Sequence, residues 1–157
     1  MLKSIQNALA ATPRTDMDLP VVEPDPTRIA VLLNRNARQV NDRLARRVAK
    51  ILGSDHLFYS RNLDDAESFT REMIQRGYGT ILSGGGDGTL TQTINLVRRY
   101  VDESNAWRIE RAKRFGESQK LLGMPRFGFL KLGTGNGLTR LVGAGKPLHD
   151  LKMIADF

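Results

Sequence analysis

A run of small residues, GGGDGT at positions 84–89, is the segment best suited to chemistry. Its consecutive glycines carry no Cβ, so their backbone N–H groups can approach an anion closely. A helix predicted to follow directs its unpaired N–H groups to the same place, which suits phosphate. Asp87 would repel phosphate unless something intervenes. A carboxylate inside a phosphate loop therefore indicates Mg²⁺ held directly or through water, or a role in orienting an attacking hydroxyl. The loop therefore predicts a phosphate site; the alternative is a strand–helix turn that happens to be glycine-rich.

A second small-residue loop, GTGNG at positions 133–137, occurs later in the chain. Each loop directly follows a short apolar run of β-forming residues, at 79–83 and 126–132. The carboxyl ends of parallel strands meet at one edge of a sheet, and ligands of α/β proteins bind there. We therefore expect the two loops to line a single crevice.

Strand-like and helix-like segments alternate from residue 28 onward. Short apolar runs predict four strands, at 28–33, 56–60, 79–83 and 126–132. Apolar residues at helical spacing predict helices over 37–52, from an Asn62 cap to Gly77, and after Thr89. This alternation predicts an α/β fold, a three-layer αβα domain with a mostly parallel sheet.

The ends of the predicted domain differ in composition from its middle. Residues 1–27 contain four prolines and an excess of acidic residues, which predicts a flexible leader before a domain over 28–157. Residues 104–125 predict a basic, partly helical insertion within that domain. Its arginines and lysines are interleaved with Trp107, Ile109 and Phe115, so peripheral contact with an anionic membrane is one interpretation. A solvated helix packed over the sheet edge is the other, and the one we favour.

The overall composition limits the classes of function. The net charge of +7 favours anionic partners. The chain has no cysteine and two distant histidines, which argues against disulfides and a zinc site. No apolar run approaches the roughly 20 residues of a membrane-spanning helix. Together these features predict a cytoplasmic protein, peripheral at the membrane if the basic insertion contacts lipid.

The GGGDGT loop followed by LGTGN, each after a buried strand, resembles the catalytic domain of diacylglycerol, sphingosine and related lipid kinases. NAD kinases are more distant relatives with a similar GGDGT loop. The resemblance covers residues 28–157. It implies an ATP-binding domain that uses Mg²⁺ and transfers the γ-phosphoryl group to a lipid hydroxyl of the diacylglycerol type.

The resemblance also implies the site residues. Asp87 is the implied catalytic residue, and no side chain is assigned as a direct metal ligand. The implied nucleotide-binding residues are Asn34, Arg38, Ser60, Gly85, Gly86, Asp87, Gly88, Thr89, Gln92, Gly133, Thr134 and Asn136. An arginine that follows the second loop in the family falls on Arg140.

Several positions depart from the family pattern. Two arginines replace small residues of the first loop, Arg35 for proline and Arg38 for glycine. Gln92 stands where a glutamate is usual, and Gly137 where an aspartate is usual. Arginines bind phosphate well, so nucleotide binding is compatible with the first two changes. The loss of two carboxylates affects the metal and hydroxyl networks.

The resemblance also predicts partners. The family has a second, β-rich domain that completes the cleft and supplies a general base. Since the chain ends at residue 157, we expect it to lack that domain and to be inactive alone. We also expect it to self-associate or to pair with the missing domain. The expected small-molecule partners are ATP and a lipid acceptor. An NAD kinase-like enzyme and a non-catalytic nucleotide-binding module remain alternatives, and a nucleic-acid partner is disfavoured because no recognition module is present.

Overall fold

A computed structural model describes residues 15–132, 137 and 145–156 of the chain. Its centre is a four-stranded, all-parallel sheet in the order β2-β1-β3-β4. The strands are β1 (Asp25–Asn34), β2 (Leu57–Ser60), β3 (Tyr78–Gly85) and β4 (Arg126–Lys131). The helices are α1 (Asp42–Leu52), α2 (Leu63–Gln75), α3 (Asp87–Phe115) and α4 (Pro147–Ala155).

Both faces of the sheet are covered, which explains why the middle of a central strand, such as residues 29–33 of β1, is continuously apolar. Side chains of β1 alternate between two cores. Ala30 and Leu32 pack with residues of α2 and α3, whereas Val31 and Leu33 pack with residues of α1 and α4. The three-layer α/β fold predicted from the sequence is confirmed.

Helix α1 begins later than predicted, at Asp42 instead of residue 37. The side chain of Asn41 accepts the backbone N–H of Leu44 at 2.9 Å and caps the helix. The preceding residues 35–41 form a loop at the carboxyl edge of the sheet, which the apolar spacing of Ala37 and Val40 concealed. The Asn62 cap of α2 was predicted correctly, and it accepts the N–H of Asp65 at 2.8 Å.

Helix α3 is longer than the sequence predicted, because it absorbs the first half of the proposed insertion at 104–125. It runs without a break for 29 residues and ends at Gly116, whose φ of 69° is left-handed. The chain after it is held by Asn105, whose side chain bonds both the N–H (2.7 Å) and the carbonyl (3.0 Å) of Leu122. No helix among the described residues has the length and apolarity to cross a membrane.

The described part of the predicted leader, residues 15–27, makes contacts with the domain that the sequence did not predict. It contains a 3-10 helix, Thr15–Asp18, and the first residues of β1, which begins at Asp25. Arg108, almost fully buried on α3, donates to the carbonyl of Leu19 at 2.8 Å. The composition of the segment hid this packing because its partner is the distant end of α3.

The cations of the proposed insertion are only partly free. Arg111 pairs with Asp18 at 2.8 Å, and Lys120 pairs with Glu23 at 2.7 Å. These acidic residues come from the segment that was predicted to be a flexible leader. Contact of the insertion with an anionic membrane stays a prediction, with fewer unpaired charges than the sequence suggested.

Asn105→Ala should lower the free energy of unfolding by about 1–3 kcal/mol, because it leaves two polar groups of Leu122 without their partner. Urea denaturation followed by circular dichroism measures the change. Arg98→Ala is the control on the same helix, since it removes only an exposed ion pair with Asp102 at 3.7 Å and should change stability by less than about 0.5 kcal/mol. Equal effects of the two variants would contradict this account.

Candidate functional site

The candidate site lies at the carboxyl edge of the sheet, where β1 and β3 end side by side. Strand pairing aligns Leu33 with Gly84, so Asn34 ends β1 next to the start of the GGGDGT loop. Helix α3 starts immediately afterwards, with Gly86 as its N-cap. The register of two central strands therefore places both segments at one crevice, as expected for this type of sheet.

Two glycines of the loop are required by packing. A Cβ on Gly84 would lie 2.3 Å from a side-chain carbon of Leu33, and one on Gly85 would lie 2.4 Å from the hydroxyl of Thr89. Gly88 differs, since a Cβ there would meet no atom within 4 Å. Close packing against Leu33 and Thr89 therefore explains the first two glycines, whereas Gly88 leaves open space beside the helix terminus.

The side chains of Asn34 and Thr89 join β1 to the first turn of α3. Asn34 Nδ2 donates to Thr89 Oγ1 at 3.2 Å, and Asn34 Oδ1 accepts the N–H of Asn36 at 3.0 Å. Both residues are half-buried. Thr89 does not cap its own helix, and no side-chain hydrogen bond is made at this N-cap.

Asp87 connects the two small-residue loops. Its Oδ2 accepts the backbone N–H of Gly137 at 2.8 Å. The sequence identified Asp87 but not this partner, because a backbone donor leaves no signal in residue type. The bond confirms that residue 137 of the second loop reaches the first one, and it leaves Oδ1 of Asp87 without a described partner.

Residues 35–41, the crossing loop, run over the carboxyl edge of the sheet. The N–H of Arg35 bonds the carbonyl of Ser60 at 2.9 Å, and the N–H of Gln39 bonds the carbonyl of Leu132 at 3.3 Å. The loop thus spans from the end of β2 to the end of β4. Arg38 is exposed on this loop, next to Gln39, whose backbone N–H bonds the chain at the end of β4.

The arginines along this edge differ in whether a described acidic residue pairs with them. Arg61, after β2, donates from both its backbone and its guanidinium to Asp65 at 3.0 Å, and these hydrogen bonds lower the pKa of Asp65. Arg35 and Arg38 are exposed and form no ion pair with any residue that the structure describes. No acidic side chain among the described residues neutralises these two cations, so they can attract an anion to this edge.

Two other residues implied by the resemblance occupy different environments. Ser60 is buried at the end of β2, and its hydroxyl donates to the carbonyl of Leu33 at 3.2 Å. Gln92 is exposed on α3 and lines a shallow surface cavity together with Gly88 and Asn95. Gln92 thus faces solvent beside the GGGDGT loop, whereas the buried Ser60 joins the carboxyl ends of β2 and β1. Gly133, Thr134, Asn136 and Arg140 lie outside the described residues.

A family model for the diacylglycerol kinase catalytic domain matches residues 28–156. The chain belongs to this family. The match includes the sheet, the crossing loop and both small-residue loops, so it identifies a kinase-type domain that uses ATP. No curated protein matches the chain significantly.

Gly85→Ala and Gly88→Ala should have opposite effects on stability. Alanine at 85 would overlap the Thr89 side chain and should cost about 1–3 kcal/mol. Alanine at 88 meets no atom and suits a helix better than glycine, so it should be neutral or stabilising by up to about 1 kcal/mol. Chemical denaturation of the pair measures this, and equal destabilisation would show that both glycines are needed by the fold.

Proposed function

We propose that this domain binds ATP at the carboxyl edge of the sheet and supports transfer of the γ-phosphoryl group to a lipid hydroxyl of the diacylglycerol type. The observation that most supports the proposal is the hydrogen bond from the backbone N–H of Gly137 to Asp87, which joins residue 137 of the second loop to the first loop. Membership of the family supports ATP-dependent phosphoryl transfer as the reaction, and the crevice at the carboxyl edge of the sheet is the proposed binding site.

The phosphates would lie at the amino end of α3. A helix of 29 residues presents a partial positive charge there, and the open space at Gly88 lets an anion approach the backbone. Arg38 would approach from the crossing loop and form charge-assisted hydrogen bonds to phosphate oxygens. These contacts neutralise the polyphosphate from two sides.

Mg²⁺ fits this site only as a partner of the nucleotide. The described residues contain no group of three or more histidine or acidic side chains that could hold a metal. Magnesium is commonly bound by one or two carboxylates together with substrate phosphates, and Asp87 supplies one such carboxylate. The ion would neutralise charge on the phosphates, while Asp87 Oδ2 stays with Gly137.

Asp87 is the proposed catalytic residue. Its Oδ2 accepts from Gly137, and no described residue contacts its Oδ1, which would orient the metal or the attacking hydroxyl. Phosphoryl transfer depends mainly on such positioning and on charge stabilisation. The acceptor would enter along the exposed face of α3 at Gln92 and Asn95, which begins beside the phosphate loop.

A non-catalytic nucleotide-binding module is the second candidate function. The observation that favours it is the amide of Gln92, exposed beside the loop where lipid kinases usually have a carboxylate. Nucleotide binding would then survive without transfer, so binding and transfer need separate measurements.

Mg-ATP should bind with a one-to-one stoichiometry in titration calorimetry, and Arg38→Ala should weaken it about tenfold through loss of a charge-assisted contact. Arg47→Ala is the matched control, because Arg47 is exposed on α1 further from the edge and should change the affinity less than twofold, about the error of the measurement. Absence of binding at millimolar nucleotide would overturn the proposed function.

Asp87→Asn should abolish phosphoryl transfer in any form of the protein that shows it, with a loss of about 10²-fold or more. Asparagine has the same shape and can still accept the N–H of Gly137, so the loop contact survives while the charge is removed. Radiolabelled phosphate transfer to diacylglycerol, sphingosine and polyprenol in micelles measures the rate. A near-normal rate would leave Asp87 with a structural role only.

A further inference from the structure

The orientation of the Asn34 carboxamide is determined by its surroundings. The oxygen and nitrogen of a carboxamide are assigned from the hydrogen bonds around them. Here the partner at one end is the backbone N–H of Asn36, 3.0 Å away, and a backbone N–H is always a donor. The atom at that end is therefore Oδ1, and Nδ2 is the atom that faces Thr89 Oγ1 at 3.2 Å.

This orientation decides what the Thr89 hydroxyl can do. A hydroxyl has one proton to donate and two lone pairs to accept with. Because Asn34 donates to Thr89, one lone pair is occupied and the proton of Thr89 must point elsewhere. No described residue accepts that proton. Thr89 is half-buried in the first turn of α3, next to the open space at Gly88, so the proton is free for a group in the crevice.

The surrounding residues also fix the position of the Thr89 hydroxyl, in addition to its role as a hydrogen-bond donor. Thr89 Oγ1 lies 2.4 Å from where a Cβ of residue 85 would be, so it occupies the room that Gly85 leaves. The carbonyl of Thr89 also accepts the hydroxyl of Thr93 at 2.8 Å. The side chain of Thr89 is thus held between Gly85 and Asn34, at the start of the helix.

We propose that Asn34 is a positioning residue: by donating to Thr89 it makes the Thr89 hydroxyl a donor to a phosphate oxygen of the bound nucleotide. This inference rests on the proposed function and deepens it. Asn34 itself needs no contact with the ligand, because it acts through Thr89. The reverse polarity would turn a lone pair of Thr89 toward the phosphate, and two acceptors facing each other repel.

Asn34→Asp tests the polarity directly. The aspartate keeps the shape of asparagine and still accepts the N–H of Asn36, but it has no proton to donate. It would instead accept the proton of Thr89 and withdraw it from the ligand. The affinity for ADP, measured by titration calorimetry, should fall about 10- to 100-fold, the range expected for one hydrogen bond to a charged group.

The added negative charge needs its own control. Asn36→Asp places the same charge two residues away on the exposed crossing loop, without touching Thr89, and should lower the ADP affinity only about threefold or less. Thr89→Val removes the donor and should reproduce the loss caused by Asn34→Asp, whereas Thr89→Ser should bind ADP normally. In the Thr89→Val background, Asn34→Asp should add no more than Asn36→Asp does.

The outcomes separate this inference from the proposed function. Equal effects of Asn34→Asp and Asn36→Asp, or full additivity with Thr89→Val, would overturn the inference while nucleotide binding stands. Failure of the unaltered chain to bind ADP would overturn the proposed function and this inference with it. Thermal unfolding checks that each variant folds. If Asn34→Asp does not, the Thr89→Ser and Thr89→Val pair decides, and equal affinities of those two variants would overturn the inference.

Discussion

The geometry of the site depends on the two hydrogen bonds that the side-chain carboxamide of Asn34 makes. Its oxygen holds the start of the crossing loop through the N–H of Asn36, and its nitrogen holds the first turn of α3 through Thr89. Loop and helix come from different parts of the chain and meet only because β1 and β3 are neighbours in the sheet. An amide can make both bonds at once since it carries a donor and an acceptor.

Helix α3 links this site to the opposite end of the domain. Over 29 residues it extends about 44 Å at 1.5 Å per residue, well beyond the 8 residues of β3 beside which it starts. Its far end is stabilised by the segment that precedes β1, through Arg108 and the carbonyl of Leu19. The same helix therefore begins at the candidate phosphate site and contacts Asp18 and Leu19 near its other end.

The sequence predicted the layered α/β fold and the two motif loops because both depend on local patterns. Continuous apolar runs indicate strands buried on both faces, and glycines followed by a helix indicate a phosphate loop. The sequence did not predict the start of α1 or the end of α3 correctly. The start of α1 was misplaced since Ala37 and Val40 continue its apolar spacing, although the loop residues before Asn41 are not helical. The length of α3 was missed because charged residues interrupt its apolar face.

The sequence alone determined that a carboxylate, Asp87, lies among glycines at a strand end. Because both motifs are contiguous in the chain, it also carried the resemblance to the family, and that resemblance implied that Arg35 and Arg38 stand where proline and glycine are usual. Only the tertiary structure decided that Gly137 donates to Asp87, that Ser60 is engaged below the site, and that Asn34 donates to Thr89. Each of these contacts joins a backbone group or a carboxamide to a side chain that is distant in the sequence, and the fold brings the two together. Their direction depends on which atom faces which, and residue spacing carries no information about that.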